Sequence, residues 1–456
     1  MASPSSPSAL VSASQPIPLS LQDWFHSSSA ASPQVLLMDG GVSTHLEDII
    51  APKTFSHRSL WSSSLLLTEE GRASIVKGHQ DWLDSGCNVL TTVTYQCHYG
   101  LVRIETTTKV AIDESISGEK ADVSAATTAA ATETASDRNE EGNDKDMERN
   151  PMTATPTKDK MREMMIDGVF LAKEAINKSS TKDVNNNDSP QRLASSSSSS
   201  LTLRPFVVAS TGPYGAAMAD GSEYTGNYPP HVTREALVDF HTRKARTLLM
   251  EGKPDGLAVE TIPSLQEIGV VCEVLRDLQQ QQEQESKSEV SPIACWISLA
   301  CRNGNELNDG HTVEEALRII QSYDPTGRWI TAVGINCCDS ACIASLVTTL
   351  TKVDATSGRR GIVVYPNSGE HWNAANEDWD EGSGATDSTI ADRLMEAVRI
   401  IQDACKAECT GTNEAEAGTN EGKQNRVPRI IIGGCCRTNP ATIAMLRKRI
   451  DDARDF

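Results

Sequence analysis

The sequence predicts an α/β protein, a (β/α)8 TIM barrel with long disordered insertions. Three observations support this fold class: eight short apolar runs, helical patterns that follow them, and roughly 300 residues left once low-complexity segments are set aside. Eight strands alternating with helices in a domain of that size are typical of a closed barrel. A doubly wound open sheet shows the same alternation and is the competing prediction.

The strands are predicted where β-rich apolar runs end at small or polar residues. They are Val35–Asp39, Asn88–Thr92, Phe206–Thr211, Gly256–Glu260, Ile293–Ser298, Ile330–Asn336, Gly361–Tyr365 and Arg429–Gly433. A period of 3.6 residues predicts the helices between them. They are Met161–Asn177, Arg234–Glu251, Ser264–Leu278, Val313–Ser322, Ser340–Lys352, Ile390–Ala404 and Pro440–Arg449.

Five segments are too poor in large apolar side chains to offset their chain entropy, so we expect them to be disordered. They are an N-terminal tail, 1–33, and insertions at 107–158, 179–203, 279–290 and 406–427 within a barrel domain spanning 34–456. The first insertion follows strand 2 and precedes its helix, which places it at the end of the barrel where active sites lie. It is therefore either a lid over that site or a solvated loop without a role.

The charge balance excludes several classes of partner. The chain has 42 Lys and Arg against 62 Asp and Glu, a formal charge of −20, whereas a nucleic-acid binder normally presents a basic stripe. No apolar run approaches the roughly 18 residues of a membrane span, so no membrane is expected as a partner. The N-terminal composition lacks the features of a signal or presequence, and the 12 cysteines show no disulfide framework, which favours a reducing cytoplasm. The sequence leaves the oligomeric state open.

Three cysteines end two of the predicted strands. Cys337 follows strand 6, and the pair Cys435-Cys436 follows strand 8. Catalytic zinc is held by three protein ligands with a fourth position left open, and thiolates are among its ligands. Gly433-Gly434 permits the turn that both members of the pair need in order to face one metal ion. The alternative is three buried free cysteines, because cysteine is often buried and no C-x-x-C spacing is present.

Two carboxylates also end apolar strands. Asp39 ends strand 1 and Glu260 ends strand 4, where a structural acid is less expected than in a loop. Both are therefore candidates to bind the ammonium group of a substrate. The alternatives are a helix N-cap for Asp39 and a surface acid for Glu260. Neither a P-loop nor a G-x-S-x-G nucleophile elbow is present, which argues against those two kinds of site.

Eight segments, in order from strand 1 to strand 8, resemble the homocysteine S-methyltransferase family. They are MDGGVSTHLED (38–48), GHQDWLDSGCNVLTTVTYQ (78–96), STGPYGAAMADGSEYTGNY (210–228), AVETIPSLQE (258–267), WISLACRNG (296–304), VGINC (333–337), YPNSGEHW (365–372) and GGCCRTNP (433–440). The pairing of GINC with a later GGCC is the most specific of these features. The DGSEYTGNY loop and the ending GGCCRT are similar to the branch that uses S-methylmethionine or S-adenosylmethionine, and less similar to the branch that uses betaine.

The resemblance implies a zinc-dependent enzyme that transfers a methyl group from a sulfonium donor to the thiolate of L-homocysteine, giving methionine. The implied Zn²⁺ ligands are Cys337, Cys435 and Cys436. The residues implied to hold the amino and carboxylate groups of homocysteine are Asp39, Gly40, Thr92 and Glu260. Both substrates are small molecules, and no catalytic residue is implied beyond the metal-activated substrate thiolate.

The chemistry of the donor suggests further residues. A sulfonium already carries a neutral leaving group, so no general acid is needed and catalysis rests on thiolate generation and in-line positioning. A sulfonium cation is attracted to aromatic faces and to carboxylates. The candidates for donor binding are Tyr95, Glu223, Tyr224 and Glu370.

Several alternatives stay open at this point. The donor is S-methylmethionine, S-adenosylmethionine or betaine, and the acceptor is homocysteine or selenocysteine. A different class of protein, a catalytically silent sensor of homocysteine or zinc, is also compatible with the motifs. Two departures from the family pattern are His45, where Gln or Glu is usual, and Cys338, which extends the strand-6 ligand into a second vicinal pair.

Overall fold

Eight parallel strands form the central sheet of the structure, a computed structural model. It describes residues 19–27, 32–50, 60–100, 156–185, 203–285, 292–354, 360–370, 372–373, 378–380, 382–410 and 428–453. The strands are β1 (Val35–Leu37), β2 (Val89–Thr91), β3 (Phe206–Thr211), β4 (Gly256–Ile262), β5 (Ala294–Ala300), β6 (Ala332–Asp339), β7 (Gly361–Asn367) and β8 (Ile430–Ile432).

The order of the strands closes the sheet into a barrel. Neighbours run β1, β8, β7, β6, β5, β4, β3 and β2, and the pairs are parallel. The two ends of this series meet at a parallel bridge between Met38 and Val89, where the amide of Asp39 also donates to the carbonyl of Val89 at 3.0 Å. The predicted (β/α)8 barrel is confirmed, and the open-sheet alternative is wrong.

Helices surround the barrel and pack their apolar faces on it. They are α1 (Leu21–His26), α2 (Val42–Ile49), α3 (Glu69–Asp84), α4 (Lys158–Asn185), α5 (Tyr214–Met218), α6 (Arg234–Arg246), α7 (Leu265–Glu285), α8 (Val313–Tyr323), α9 (Ile343–Asp354), α10 (Asp387–Thr410) and α11 (Pro440–Asp452). Local sequence explains several starts. Thr312 and Glu315 form a capping box at the start of α8, and Asn439 caps α11 just before Pro440.

Helix α1 closes the amino-terminal end of the barrel. Its apolar residues Leu21, Trp24 and Phe25 are buried together with the side chains that fill the barrel interior. Gly256 and Gly361, which begin β4 and β7, lie against Leu21 and Phe25. The helix falls within the predicted disordered tail, so that prediction is wrong for residues 21–26. The spacing of these three apolar residues, i, i+3 and i+4, is the signal of a helix face that composition alone concealed.

The described ends of the predicted insertions are also helical. Helix α4 continues to Asn185, α7 to Glu285 and α10 to Thr410, so the predicted disorder is wrong for these turns. The Gln- and Glu-rich end of α7 consists of good helix formers, which low hydrophobicity does not prevent from extending an existing helix. Most of the rest of the four insertions, including 107–155, lies outside the described residues. The lid hypothesis concerns that segment, so it stays a prediction. None of the described helices has the length and apolarity of a membrane span.

Candidate active site

A cavity of about 600 Å³ opens at the carboxyl ends of the barrel strands. In this fold the loops that follow the strands meet at that end and carry the active site. Residues at or just beyond the carboxyl ends of β1, β2, β3, β4, β6, β7 and β8 line the cavity, together with residues of α2. The sequence-predicted residues that line it are Asp39, Gly40, Thr92, Tyr95, Glu223, Tyr224, Glu260, Cys337, Cys435 and Cys436.

Three cysteine thiols converge in this cavity. The Sγ atoms of Cys337, Cys435 and Cys436 all lie within 4.8 Å of one another, and those of Cys337 and Cys436 are 3.9 Å apart. Two ligands of a tetrahedral zinc ion, each about 2.3 Å from the metal, are about 3.8 Å apart. The donor set and its spacing therefore fit a zinc ion.

Backbone irregularities turn these thiols toward one another. The register of β6 against β7 shifts between Asn336 and Asp339, and Cys337 in this bulge has a φ of 53°. Bulges re-aim side chains near active sites. The neighbouring thiol of Cys338 is buried in the apolar layer between barrel and helices, so it does not belong to the cluster.

The loop after β8 is held against β7. The amide of Cys435 donates to the carbonyl of Pro366 at 2.8 Å, and the amide of Cys436 donates to Oδ1 of Asn367 at 3.1 Å. Gly434 lies so close to the side chain of Thr438 that no β-carbon fits there. These contacts hold both members of the vicinal pair at the cavity, as the Gly433-Gly434 turn predicted.

Hydrogen bonds among the three thiols shift their pKa values. Hydrogen bonds from Cys337 and Cys435 lower the pKa of Cys436 well below its usual value. Hydrogen bonds to Cys435 and Cys436, together with burial, raise the pKa of Cys337. The protonation of each thiol therefore depends on its two neighbours in the cluster.

Two buried carboxylates face the cavity from β1 and β4. Asp39 is 0% exposed, and its carboxylate accepts from the amide of Thr91 at 2.6 Å and from its hydroxyl at 3.0 Å. Glu260 is 8% exposed and accepts from the hydroxyl of Ser210. The N-cap of α2 is Gly41, so the N-cap alternative for Asp39 is wrong, and burial rules out a surface role for Glu260.

Burial changes the charge state of these acids. It raises the pKa of Asp39 well above its usual value and the pKa of Glu260 to about 7. A cation bound between them would reverse this shift, because a nearby positive charge favours the carboxylate form. The pair is therefore suited to an ammonium group.

Thr92 and Gly40 occupy the cavity wall in different ways. The Thr92 hydroxyl accepts from the amide of Ser210 at 3.0 Å and pairs with the Thr94 hydroxyl at 2.6 Å, so it braces β2 against β3. A β-carbon at Gly40 would lie 2.7 Å from the Trp82 ring and 2.8 Å from the Thr438 hydroxyl. Only glycine allows the chain to pass there.

Tyr95, Glu223 and Tyr224 also line the cavity, and we call this group the aromatic wall. The hydroxyl of Tyr95 donates to the carboxylate of Glu223 at 3.2 Å, and Tyr224 is 65% exposed at the mouth. Burial raises the pKa of Glu223. Glu370 stands apart, because it accepts from Nε of Arg437 at 2.5 Å and does not line the cavity.

The structure adds residues that sequence reasoning missed. Trp61 lines the cavity, and its Nε1 donates to the carboxylate of Glu47 at 2.5 Å. Trp61 lies in a 3-10 turn in a serine-rich stretch without periodicity, so no pattern marked it. Asn336 also lines the cavity. Its Oδ1 accepts from the backbone amide of Thr261 at 2.8 Å, and its Nδ2 donates to the hydroxyl of Thr261 at 2.8 Å. Its place at the end of a strand was a signal that could have been used.

Comparison with known proteins agrees with this geometry. A family model described as homocysteine S-methyltransferase matches residues 36–139 and 141–450. Homocysteine S-methyltransferase 2 of Zea mays is 27% identical over 418 residues, covering 91% of this chain and 90% of that protein. Selenocysteine methyltransferase of Astragalus bisulcatus is 34% identical over 265 residues, covering 57% of this chain and 64% of that protein, which is less than two thirds of its length.

A solved structure shares the fold. The crystal structure of the homocysteine methyltransferase MmuM from Escherichia coli, in its metallated form, superimposes with a TM-score of 0.56 at 22% identity, covering 91% of this chain and 96% of that one. The family model spans nearly the whole chain, which favours an enzyme over the silent-sensor alternative. This chain belongs to the homocysteine S-methyltransferase family and is a methyltransferase.

Proposed function

We propose that the protein transfers a methyl group from S-methylmethionine to the thiolate of L-homocysteine, giving methionine, with Zn²⁺ held by Cys337, Cys435 and Cys436. The observation that carries the proposal is the convergence of these three thiols with two buried acids, Asp39 and Glu260, in one cavity. The cysteine cluster, with its metal, would take the thiol of an amino acid such as homocysteine. The two acids in the same cavity would take its ammonium group.

The metal would change the charge state of the sulfur ligands. Bound zinc stabilises thiolates, including that of a substrate thiol at the open position. The protein's part is to hold three sulfur ligands on one side and leave the other side facing the cavity. Asn336 supports this arrangement, because its amide nitrogen lies 4.0 Å from Sγ of Cys435.

Homocysteine would be oriented by its amino-acid group. Asp39 and Glu260 would accept from the ammonium group, whose charge would return both acids to their carboxylate forms. Gly40 and the first turn of α2 line the same cavity, and the amino-terminal end of a helix favours a carboxylate. We assign Thr92 to the support of this wall rather than to direct binding.

The donor would lie against the aromatic wall. Tyr95, Trp61 and Tyr224 offer ring faces for a sulfonium, and Glu223 and Glu47 offer negative charge. The thiolate sulfur attacks the methyl carbon while the carbon–sulfur bond of the sulfonium breaks, and its electron pair leaves with a neutral thioether. No proton has to be delivered, so this wall needs only to align the donor and exclude water. We withdraw Glu370 from this role, since it lies outside the cavity.

Selenocysteine is a second candidate acceptor, favoured by the similarity to the Astragalus bisulcatus enzyme. A selenol would bind at the position proposed for the thiol of homocysteine. S-adenosylmethionine and betaine are the competing donors. Cytoplasmic localisation stays a prediction, which cell fractionation would test.

The test is product formation by purified, zinc-loaded protein. Homocysteine and selenocysteine are each supplied with S-methylmethionine, S-adenosylmethionine or betaine, with and without a chelator. Chelator-sensitive methionine formation with S-methylmethionine supports the proposal. Turnover with betaine alone would overturn the donor assignment, and turnover that survives metal removal would overturn the metal assignment.

A further inference from the structure

A buried lysine with no part in the proposed chemistry lies behind the aromatic wall. Lys244 of α6 is 1% exposed, and burial lowers its pKa to about 8. Its Nζ donates to the carbonyls of Tyr95 at 3.1 Å and Gly212 at 3.4 Å, and lies 4.7 Å from the centre of the Phe240 ring. Burying an ammonium group costs free energy unless it has partners, so these contacts indicate that Lys244 has a role at this position.

The two carbonyls belong to the segments that build the wall. Tyr95 follows β2 and Gly212 follows β3, and the amide of Gly212 also donates to the carbonyl of Tyr95 at 3.1 Å. The Tyr95 ring lies against Gly212 so closely that a β-carbon there would be 2.6 Å from the ring. Lys244 thus links the segment after β2 to the segment after β3 through hydrogen bonds to the carbonyls of Tyr95 and Gly212.

A buried acid holds the next segment in a similar way. Glu267 of α7 is fully buried and accepts from the amide of Tyr214 at 2.7 Å, from Nε2 of His241 at 2.8 Å and from the Tyr228 hydroxyl. The segment between Tyr214 and Tyr228 carries Glu223, which receives the hydrogen bond of the Tyr95 hydroxyl. Lys244 therefore fixes the backbone of Tyr95, and Glu267 fixes both ends of the segment that carries Glu223.

We infer that Lys244 is a positioning residue for the methyl donor: by fixing the carbonyls of Tyr95 and Gly212, it aims the Tyr95 ring into the cavity. The inference rests on the proposed function, since the ring has a donor to align only if the cavity binds one. Lys244 donates no hydrogen bond to Asp39 or Glu260. Its charge is the smallest of the influences on the pKa of Glu260, so homocysteine binding should depend on Lys244 much less than donor binding does.

A double-mutant cycle tests the inference. Wild type, Lys244→Met, Tyr95→Ala and the double variant are zinc-loaded and assayed with the donor that supports turnover. Lys244→Met should raise the donor KM about tenfold and leave the homocysteine KM within about twofold. In the Tyr95→Ala background the same change should alter the donor KM by less than about twofold, because the group through which Lys244 acts is gone.

Matched variants separate positioning from stability. Lys173→Met is the control, since Lys173 also donates to two backbone carbonyls, those of Gly252 at 3.3 Å and Lys253 at 2.5 Å, outside the cavity. It should leave both KM values unchanged. If Lys244→Met does not fold, Gly212→Ala displaces the Tyr95 ring directly, because its β-carbon would lie 2.6 Å from the ring, and should raise the donor KM selectively.

The outcomes distinguish the two proposals. Equal rises in both KM values, or effects of Lys244→Met and Tyr95→Ala that multiply in the double variant, would overturn the inference and leave the proposed function standing. Absence of turnover by wild type with every donor would overturn both, because no donor wall would then exist.

Discussion

The two ends of the barrel use the same eight strands for different purposes. At the amino-terminal end, Leu21, Trp24 and Phe25 of α1 pack among apolar side chains, and Gly256 and Gly361 make room for them. None of these five residues lines the cavity or belongs to the cysteine cluster. The contribution of this end, the floor of the barrel, is apolar burial, which stabilises the fold without chemistry.

The carboxyl-terminal end differs in backbone as well as in side chains. Thr261, Cys337 and Arg437 all have a positive φ, between 53° and 62°, and two of them lie at register shifts in β4 and β6. Such conformations cost free energy and persist where the surrounding structure holds them, often at active sites. The comparison teaches that α1 contributes apolar burial to the floor, whereas the mouth combines three strained backbone positions with the two buried acids Asp39 and Glu260.

The largest effect is expected from the cysteine cluster. Cys435→Ser should abolish zinc binding and lower turnover by about a thousandfold or more, because one of three sulfur ligands is lost. Metal content and methionine formation measure this directly. Cys338→Ala is the matched control: it lies one residue from a proposed ligand but faces the helix layer, so it should retain zinc. Full zinc content in Cys435→Ser would contradict the ligand assignment.

The floor should respond in stability and not in catalysis. Trp24→Ala removes a fully buried indole, and we expect a loss of about 3–5 kcal/mol in the free energy of unfolding. Denaturant unfolding measures it, with Phe170→Ala as the control, because Phe170 is 54% exposed on α4 and should cost less than about 0.5 kcal/mol. Both KM values should be unchanged in the folded Trp24 variant. A selective change in either KM would break the division between floor and mouth.

Buried charge at the mouth predicts a pH-dependent gain in stability for Glu260→Gln. Because the pKa of Glu260 is raised to about 7, its stabilising contribution is complete below the unfolded value near 4.5 and is lost as pH rises through about 7. Without metal or substrate, the variant should gain up to about 3 kcal/mol over wild type at pH 8 and little at pH 4. The Glu260→Gln substitution should also raise the homocysteine KM about tenfold, because the ammonium group loses a carboxylate partner.

Unfolding titrations of both proteins at the two pH values test this prediction. Glu174→Gln, which alters an exposed carboxylate on α4, should show no such pH-dependent gap. A constant difference between wild type and Glu260→Gln would show that Glu260 is not a buried, easily protonated acid.

The smallest effect separates two acids at the rim. Glu223→Gln should raise the donor KM about tenfold, because Glu223 lines the cavity and bonds Tyr95. Glu370→Gln should leave it within about twofold, because a partly exposed pair such as Glu370–Arg437 contributes only about 0–1 kcal/mol. Initial rates at varied donor concentration decide this, and equal effects would return Glu370 to the donor site.

Sequence reasoning predicted most of the cavity residues that lie at strand ends, with Asn336 as an exception. The barrel, the three cysteines and both acids follow from where apolar runs stop, because parallel strands bring their carboxyl ends together. Sequence reasoning was wrong or incomplete for α1, Glu370 and Trp61, whose positions depend on tertiary packing. Helix α1 was hidden in a serine-rich composition, and Glu370 lies in the loop after β7 but pairs with Arg437 instead of facing the cavity. Trp61 reaches the cavity from a turn that no periodicity marks.

X-ray absorption at the zinc edge tests the central claim most directly. Zinc-loaded protein should show three sulfur neighbours at about 2.3 Å, and addition of homocysteine should add a fourth sulfur at a similar distance. The Cys435→Ser variant should lose one sulfur neighbour or bind no zinc. A metal without sulfur neighbours, or a sulfur count that homocysteine does not change, would contradict a zinc-held thiolate as the basis of methyl transfer.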